Sequence, residues 1–419
     1  MKLLLLAFGS RGDVQPLLPL GVALRAAGYG VQIAAGTNFK QAIETQGLAF
    51  VDVGVDVHAL MNSESGKEWT ENSSSNPLQE ARNMKRIFDE HTGKMGAEIL
   101  RISTDADVLI SNLPTFGVAH TVAELLGKKH IRIMLAPLTP TSHPDATMVP
   151  IVPGRNNALN RLAGYLGIYF TYWINRESIN TFRRGVGRKA WNYGDFARAW
   201  NQMPVLYGVS PRVMPPDPKW NRDTVVTGYW FDTPDERWQP PAPLENFLQK
   251  YPAPVYIGFG SMGSKNPKAT LRTMVDALRQ TGQPGILYSG WAGLATDTLP
   301  ENVLLIDGAP HDWLFPRMAA IIHHGGAGTT AAALRAGIPS TVVPHMADQP
   351  YWGRRVYELG VGHKPIPRHE LSVERLAEAI TVMVGSPTMQ AKAAALGAHI
   401  RQERDIENAI NAVNAILRR

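Results

Sequence analysis

Ile321-Ile-His-His-Gly-Gly-Ala-Gly-Thr-Thr-Ala-Ala-Ala-Leu-Arg-Ala-Gly-Ile-Pro-Ser-Thr-Val-Val-Pro-His-Met-Ala-Asp-Gln349 is the stretch on which the reading of this chain turns. It reads as strand, glycine loop, helix, strand and polar loop. Ala320–His323 is a short apolar run suited to a buried strand. Gly325, Gly326 and Gly328 let the backbone turn sharply and approach a ligand. Thr329 to Ala336 is alanine-rich and helix-forming, and Gly337-Ile338-Pro339 stops it. The first turn of such a helix offers free N–H groups and a partial positive charge, which suits phosphate. His324 and Thr329 flank the loop as further donors. Asp348 and Gln349 follow the next strand, Thr341–Val343, so they fall on the same carboxyl edge of a parallel sheet. The constellation suits a diphosphate at one end and sugar hydroxyls at the other.

Working outward, the bulk numbers bound the rest. A chain of 419 residues is too long for one ordinary core, so two domains are expected. A net charge of +6 and no dense Lys/Arg run argue against nucleic acid and leave room for anionic ligands or loose contact with an anionic membrane surface. The chain has no cysteine, which excludes disulfides and thiolate chemistry. Leu3–Phe8 after Lys2 is too short for a signal peptide and is broken by Arg11 and Asp13, so it reads as a first strand. No stretch reaches the ~18 apolar residues of a spanning helix. A cytoplasmic protein, monomeric or loosely dimeric and peripheral to a membrane at most, is expected.

In the amino-terminal half, Gly9-Ser10-Arg11-Gly12-Asp13 is a glycine-punctuated loop after that strand. A helix from Pro16 to Ala27 and strands at Val31–Ala34, Leu48–Val51, Asp107–Ile110 and His130–Leu135 follow. This alternation means a doubly wound parallel sheet, whose ligands bind beyond the carboxyl ends of the strands. Asp13 there suits either a general base or a helix N-cap. Asp105-Ala106-Asp107 sits at the start of a strand, the wrong edge for a metal–nucleotide pair. Thr139–Arg155 is a proline-rich loop, and His143 in it is either a solvated histidine or a polar group for an acceptor. Ala158 to Arg184 carries apolar and aromatic residues nearly all round a helix. Core packing accounts for most of them, while Tyr169 and Trp173 also suit the wall of an apolar acceptor or a membrane patch.

Pro211 to Pro243 holds eight prolines with Trp220, Trp230 and Trp238 among them, and reads as an inter-domain connection. Strands at Val255–Phe259, Gly285–Tyr288, Val303–Ile306, Ala320–His323 and Thr341–Val343 then make a second doubly wound domain. Gly258-Phe259-Gly260-Ser261-Met262-Gly263 is a formal dinucleotide fingerprint, but the next strand ends without an acidic residue, and Asp276 falls within a helix. Ser261 suits a phosphate or ribose donor instead. Backbone groups near Ala309–His311 suit a base edge, and Trp313 suits a stacking face or core. No carboxylate or third histidine is spaced to join His323 and His324 at a metal, and none is expected.

The chain resembles inverting family 1 glycosyltransferases of GT-B fold, in the branch of sterol glucosyltransferases and glycopeptide-antibiotic glycosyltransferases. The carrying motifs are Gly9–Pro16, Ile257–Met262, Pro310–Pro316, His323–Thr330 with Arg335–Pro339, and Asp348-Gln349-Pro350. The resemblance implies an α/β fold of two Rossmann-like domains facing a cleft. Its bounds are an acceptor domain at 1–210, the connection at 211–245, a nucleotide-sugar domain at 246–400, and a final helix at 401–419 packing back on the first. It implies that His324, Thr329, Gly326, Gly328 and Ser261 bind the nucleotide and diphosphate, and Ser10, Ala309 and His311 are expected to join them. It also implies that Asp348 and Gln349 hold the sugar and that Asp13 is the base. UDP-glucose is the implied co-substrate, with no cofactor, and the acceptor is a sterol, terpenoid, lipid or polyketide-like molecule. Plant-type members carry a histidine in the amino-terminal loop and a tryptophan where this chain has Gly308. A nucleotide-sugar sensor, a nucleotide-sugar epimerase of the same fold and a nicotinamide oxidoreductase are the competing classes.

Overall fold

The computed structural model describes residues 1–9, 11–54, 77–233, 238–260, 266–288 and 299–419. Among them the chain divides into two compact units. The first takes the described residues of Met1–Gly66, Leu78–Asp232 and Glu403–Arg419, and the second those of Lys67–Pro77 and Thr233–Gln402.

The first unit is built on β1 (Lys2–Leu6), β2 (Gly30–Ala35), β3 (Ala49–Asp52), β4 (Val108–Ser111), β5 (Lys129–Met134), β6 (Val205–Tyr207) and β7 (Thr224–Val226). They lie in the order β3-β2-β1-β4-β5-β6-β7, and all pair in parallel. A central parallel strand is covered on both faces, which is why β1 is an unbroken run of leucine. The leucines divide by parity. Leu3 and Leu5 join Leu17, Leu20 and Leu24 of the helix Leu17–Ala26 on one face. Leu4 and Leu6 join Met95, Ile99, Val118, Val122 and Phe182 on the other. The last helix, Asp405–Leu417, sets Ala409, Ala412, Val413 and Ile416 into the first of these clusters. Its neighbourhood is tied by Ser210 Oγ donating to Glu403 (2.6 Å) and Asn408 Nδ2 donating to the Thr227 carbonyl (3.2 Å).

The second unit is built on β8 (Val255–Gly258), β9 (Gly285–Tyr288), β10 (Val303–Ile306), β11 (Ala320–His323) and β12 (Ser340–Val342), in the parallel order β10-β9-β8-β11-β12. Val255, Ile257 and Ile322 face Leu271, Leu278, Leu376 and Ile380. Tyr256, Ile286 and Ile321 face Phe247, Leu314, Phe315 and Ala333.

In each sheet the chain reverses direction of winding between its first strand and a later neighbour: β1 beside β4, and β8 beside β11. Loops at those switch points splay apart at the carboxyl edge and leave a crevice for ligand. Gly9–Asp13 follows β1, and His324–Gly328 follows β11.

The strands that the sequence reading named agree with the structure to within a residue or two, while β6 was not among them. Three differences matter. β7 lies inside the proline-rich stretch, and the first unit continues to Asp232. There Trp230 is buried in its core, and Trp220 stacks on Tyr207 at 5.7 Å between centroids. The helices Pro77–Ile102 and Tyr193–Gln202 went unread, though Asn192 and Asp195 form a capping box for the second. Asp348-Gln349 is no loop: Asp348 is the N-cap and Gln349 the first residue of the helix Gln349–Glu358.

Candidate functional site

In the second unit, β11 ends on His323, which is fully buried. Its Nδ1 accepts the backbone N–H of Gly325 at 3.1 Å, so the ring proton sits on Nε2, which has no partner among the described residues. Burial, and then the neighbouring His324 and His311, hold its pKa well below the ordinary histidine value, so it is neutral. The turn after it needs glycine. Gly325 has φ +92°, and a Cβ there would lie 2.5 Å from Val342 Cγ1 and 3.1 Å from Gln349 Cβ.

His324 is set between two glycines. A Cβ on Gly326 would lie 2.6 Å from its Nε2, and one on Gly260, at φ +63°, would lie 2.8 Å from its Cε1. The loops after β8 and β11 therefore meet on this imidazole, and any side chain at either glycine strikes it. The residue is half-buried, but its Nδ1 is enclosed and has no hydrogen-bond partner among the described residues. Burial lowers its pKa to about 4, so near neutral pH the ring carries one N–H and no charge.

The helix Ala327–Ala336 starts two residues earlier than its composition suggests, with Gly326 as N-cap and no side-chain cap. Gly328 and Thr329 are thus in its first turn, where backbone N–H groups lack intrahelical partners. Thr330 closes the first helical bond to the Gly326 carbonyl at 2.9 Å. Gly328 is exposed, and a Cβ there would meet nothing within 4 Å. A neutral imidazole, the Thr329 hydroxyl and the positive end of a 10-residue helix thus gather at one loop.

Asp348 and Gln349 border the same loop, since Gly325 packs on Gln349. Gln349 Oε1 accepts the backbone N–H groups of His345 (2.6 Å) and Met346 (3.1 Å). That fixes the amide orientation and leaves its nitrogen, which bonds nothing among the described residues, as a donor. Asp348 Oδ2 accepts the Trp352 indole N–H at 2.7 Å. Burial raises the Asp348 pKa, and the Trp352 bond and the residue's own backbone N–H partly offset this. Ala347, just before it, is held at φ +53°.

Ala309 is half-buried before the short helix His311–Leu314, and the His311 ring stacks on Phe315 at 4.2 Å. Trp313 packs edge-on against Trp238 at 4.9 Å and under the Arg317 guanidinium at 4.2 Å, so both its neighbours are protein. Over Gly308 the nearest atom to a Cβ is Tyr288 Cε2 at 4.0 Å. Asp276 lies in the helix Pro267–Thr281 paired with Arg279, which removes the acidic residue a dinucleotide fold requires. Ser10 and Ser261 lie outside the described residues. Among the described residues no three His, Cys, Asp or Glu side chains group as metal ligands.

In the first unit, Asp13 lies in the one-turn helix Arg11–Val14, half-buried. It does not cap the next helix, whose N-cap is Pro16. Its carboxylate lies on the Gly9 backbone: a Cβ on Gly9, at φ +139°, would be 2.2 Å from Oδ2. Asn112, which the sequence reading passed over, ties the two loops of the switch point by donating to the Phe8 carbonyl at 2.6 Å. Asp107 Oδ2 takes the backbone N–H of Lys2 at 2.6 Å, which keeps it on the amino edge.

His143 caps the turn Pro144–Ala146, its Nδ1 accepting the Asp145 N–H at 3.2 Å. Asp217, also unforeseen, pins this loop. It accepts Thr141 Oγ1 (2.6 Å), the Ser142 N–H (3.3 Å) and Arg161 (2.9 Å) on Oδ2, and the Lys219 N–H (2.8 Å) on Oδ1. Burial raises its pKa, but these bonds together lower it further.

The helix Ala158–Gly185 differs from expectation. Its second half is core, with Ile174, Ile179 and Phe182 buried, whereas its first half buries Asn160 and Ile168 and leaves a run of large apolar residues outside. Leu159, Leu162, Leu166, Tyr169 and Phe170 recur at three- and four-residue spacing and are exposed, Leu166 at 56%. Trp173 continues the stripe, stacked on Phe170 at 6.2 Å. It also borders an open groove of about 430 Å³ walled by Arg82, Lys85, Arg86, Asp89 and Glu90. Such an exposed apolar stripe is uncommon on a folded surface and needs an explanation beyond core packing.

Residues 3–128 match the glycosyltransferase family 28 N-terminal domain, and residues 290–407 match the erythromycin biosynthesis protein CIII-like C-terminal domain. The chain is 34% identical over 424 residues to the sterol 3-beta-glucosyltransferase UGT80B1 of Arabidopsis thaliana, covering 98% of this chain and 67% of that one. It is 33% identical over 430 residues to the sterol 3-beta-glucosyltransferase of Saccharomyces cerevisiae (strain YJM789), covering 98% of this chain and only 34% of that one. The solved structure of CalG4, the calicheamicin glycosyltransferase, matches the fold with a TM-score of 0.72 at 17% identity, covering 100% of this chain and 98% of that one. The chain belongs to the GT-B glycosyltransferases, in the family of the sterol 3-beta-glucosyltransferases.

Proposed function

We propose that the protein moves a hexose, glucose first among candidates, from a UDP-sugar to the hydroxyl of an apolar acceptor of sterol type, with inversion at the anomeric carbon. One observation carries the donor half: the neutral His324 imidazole, the Thr329 hydroxyl and the uncapped start of the helix Ala327–Ala336 border one loop. Each can donate a hydrogen bond, which suits a leaving diphosphate. Gly326 and Gly328 contribute backbone N–H groups, Asp348 and Gln349 take the sugar, and Ala309 with His311 borders the nucleoside. Ser10 and Ser261 are proposed as further phosphate contacts on sequence grounds alone.

In the proposed step the acceptor oxygen forms a bond to the anomeric carbon while the bond from that carbon to the diphosphate oxygen breaks. The acceptor proton passes to Asp13, and the electron pair leaves with the nucleoside diphosphate. The half-buried carboxylate of Asp13 supports a base. The imidazole, hydroxyl and helix terminus meet the developing charge, each by roughly 3 kcal/mol if it resembles an oxyanion-hole donor.

The acceptor class rests on the names of the relatives and on the exposed stripe from Leu159 to Phe170. Tyr169, Trp173 and His143 are the proposed acceptor contacts. The same stripe favours a second reading, in which it rests on a membrane surface from which an apolar acceptor is drawn. No helix among the described residues is long and apolar enough to cross a membrane. A UDP-glucose assay against a panel of apolar alcohols, read by mass spectrometry, tests the proposal. UDP released only when an acceptor is present supports transfer, and release without any acceptor, or none at all, refutes it.

A further inference from the structure

We propose that Trp352 is a positioning residue for donor-sugar choice: its indole N–H holds one carboxylate oxygen of Asp348, so the pair Asp348–Gln349 presents one open carboxylate oxygen beside one open amide N–H₂. The inference rests on the reading of Asp348 and Gln349 as the sugar grip. Trp352 is fully buried, packed edge-on against Tyr351 at 4.8 Å, and reaches Asp348 one helical turn back. Besides the indole, the residue's own backbone N–H acts on the Asp348 carboxylate, and no other residue among the described ones bonds it.

The rest of the loop fixes the same geometry. Gln349 Oε1 is committed to the N–H groups of His345 and Met346, so only its nitrogen can address a ligand. Those two bonds also hold the turn in which Ala347 takes a left-handed conformation, one that alanine adopts only when its surroundings impose it. An acceptor and a donor locked side by side read the relative orientation of two neighbouring hydroxyls. A sugar epimer that moves one hydroxyl across the ring loses a partner and leaves a half-buried polar group unpaired, the situation in which enzymes discriminate most strongly. Without the indole N–H the carboxylate can turn and accept hydroxyls in other arrangements.

The test replaces the N–H and keeps the bulk. Trp352→Phe is the simple variant. Incorporation of 3-benzothienylalanine at position 352 keeps the indole shape with sulfur in place of N–H, so a fold defect in the first variant does not block the test. Both are assayed with UDP-glucose and UDP-galactose, and UDP binding is measured alongside. The proposal expects the kcat/KM ratio between the two sugars to narrow about tenfold, while the Kd for UDP stays within about twofold of the parent. It also expects the acidic limb of the kcat/KM profile to move to higher pH. Burial already raises the Asp348 pKa, and the lost bond is one that lowered it. An unchanged sugar ratio and pH profile in the benzothienyl variant overturns the proposal, as does an equal loss for both sugars together with UDP. Asp348→Asn separates the two layers of the claim. If that variant keeps full sugar discrimination, the sugar grip itself is misassigned. If it loses discrimination while the benzothienyl variant does not, only the role of Trp352 falls.

Discussion

Replacing Gly326 by alanine introduces a single methyl group beside the proposed phosphate donor. The backbone there, at φ −57° and ψ 141°, is open to alanine, so the substitution carries no conformational strain. Its effect is steric. The new Cβ would sit 2.6 Å from His324 Nε2 and 3.3 Å from Cε1. Ordinary contact needs about 3.5 Å, so the ring must withdraw by roughly 1 Å. A hydrogen bond to a charged group contributes about 1.5–3 kcal/mol, and a displacement of that size forfeits most of it. The affinity for UDP should therefore fall by about 10- to 100-fold. Isothermal titration calorimetry on the parent, Gly326→Ala, His324→Ala and the double variant makes the reasoning exact. Once residue 324 has no ring, the methyl has nothing to strike, so the double variant should bind UDP as His324→Ala does. Additive losses in the double variant, or unchanged affinity in Gly326→Ala, would refute the clamp.

Other predictions follow from the same geometry. Asp13→Asn should retain UDP binding and lose transfer; near-normal turnover would remove it as the base. His324 is uncharged in the free protein, with a pKa near 4, and a bound diphosphate must raise that value. UDP affinity should therefore increase as pH falls from 8 toward 5, and by more than in His324→Ala, where only the phosphate titrates. His120 is likewise buried and neutral with a pKa near 4, set by burial. The unfolded chain takes up its proton first, so the stability it contributes is complete above pH ~6.5 and declines as pH falls, by ~2 kcal/mol at pH 5. His120→Asn should flatten that part of a melting-temperature profile. Asp217→Ala strands Arg161 and three other donors and should cost roughly 2–4 kcal/mol on chemical denaturation. Leu166→Asp, at an exposed site, should leave the melting temperature within a degree or two but raise KM for an apolar acceptor.

What the sequence disclosed follows from which features are local. β1 is legible because a central strand must be apolar on both faces, and the Gly325 turn because only glycine takes that φ without a clash. The donor loop is carried by such residues, so its outline could be read directly. The fate of Asp348 and Gln349 could not. Whether a polar pair after a strand is loop or helix start depends here on the bonds from His345, Met346 and Trp352, which no spacing rule announces. Asp217 gathers donors from Thr141, Ser142, Arg161 and Lys219, groups spread along the chain, and Asn112 reaches back to Phe8. Such long-range ties leave no periodic trace. The helix Ala158–Gly185 misled for the opposite reason. Its apolar residues have the composition of a core, and only the folded neighbourhood distinguishes Ile179, which is packed, from Leu166, which is not.

The central claim is that donor chemistry centred on His324 serves transfer of a hexose to an apolar hydroxyl. It is tested most directly by incubating the protein with UDP-glucose and a sterol and following the anomeric proton of the product by NMR. The account predicts a β-glucoside formed in step with one UDP released, and no product from Asp13→Asn. An α-glucoside, or UDP-glucose left unconsumed with every apolar alcohol offered, would contradict it.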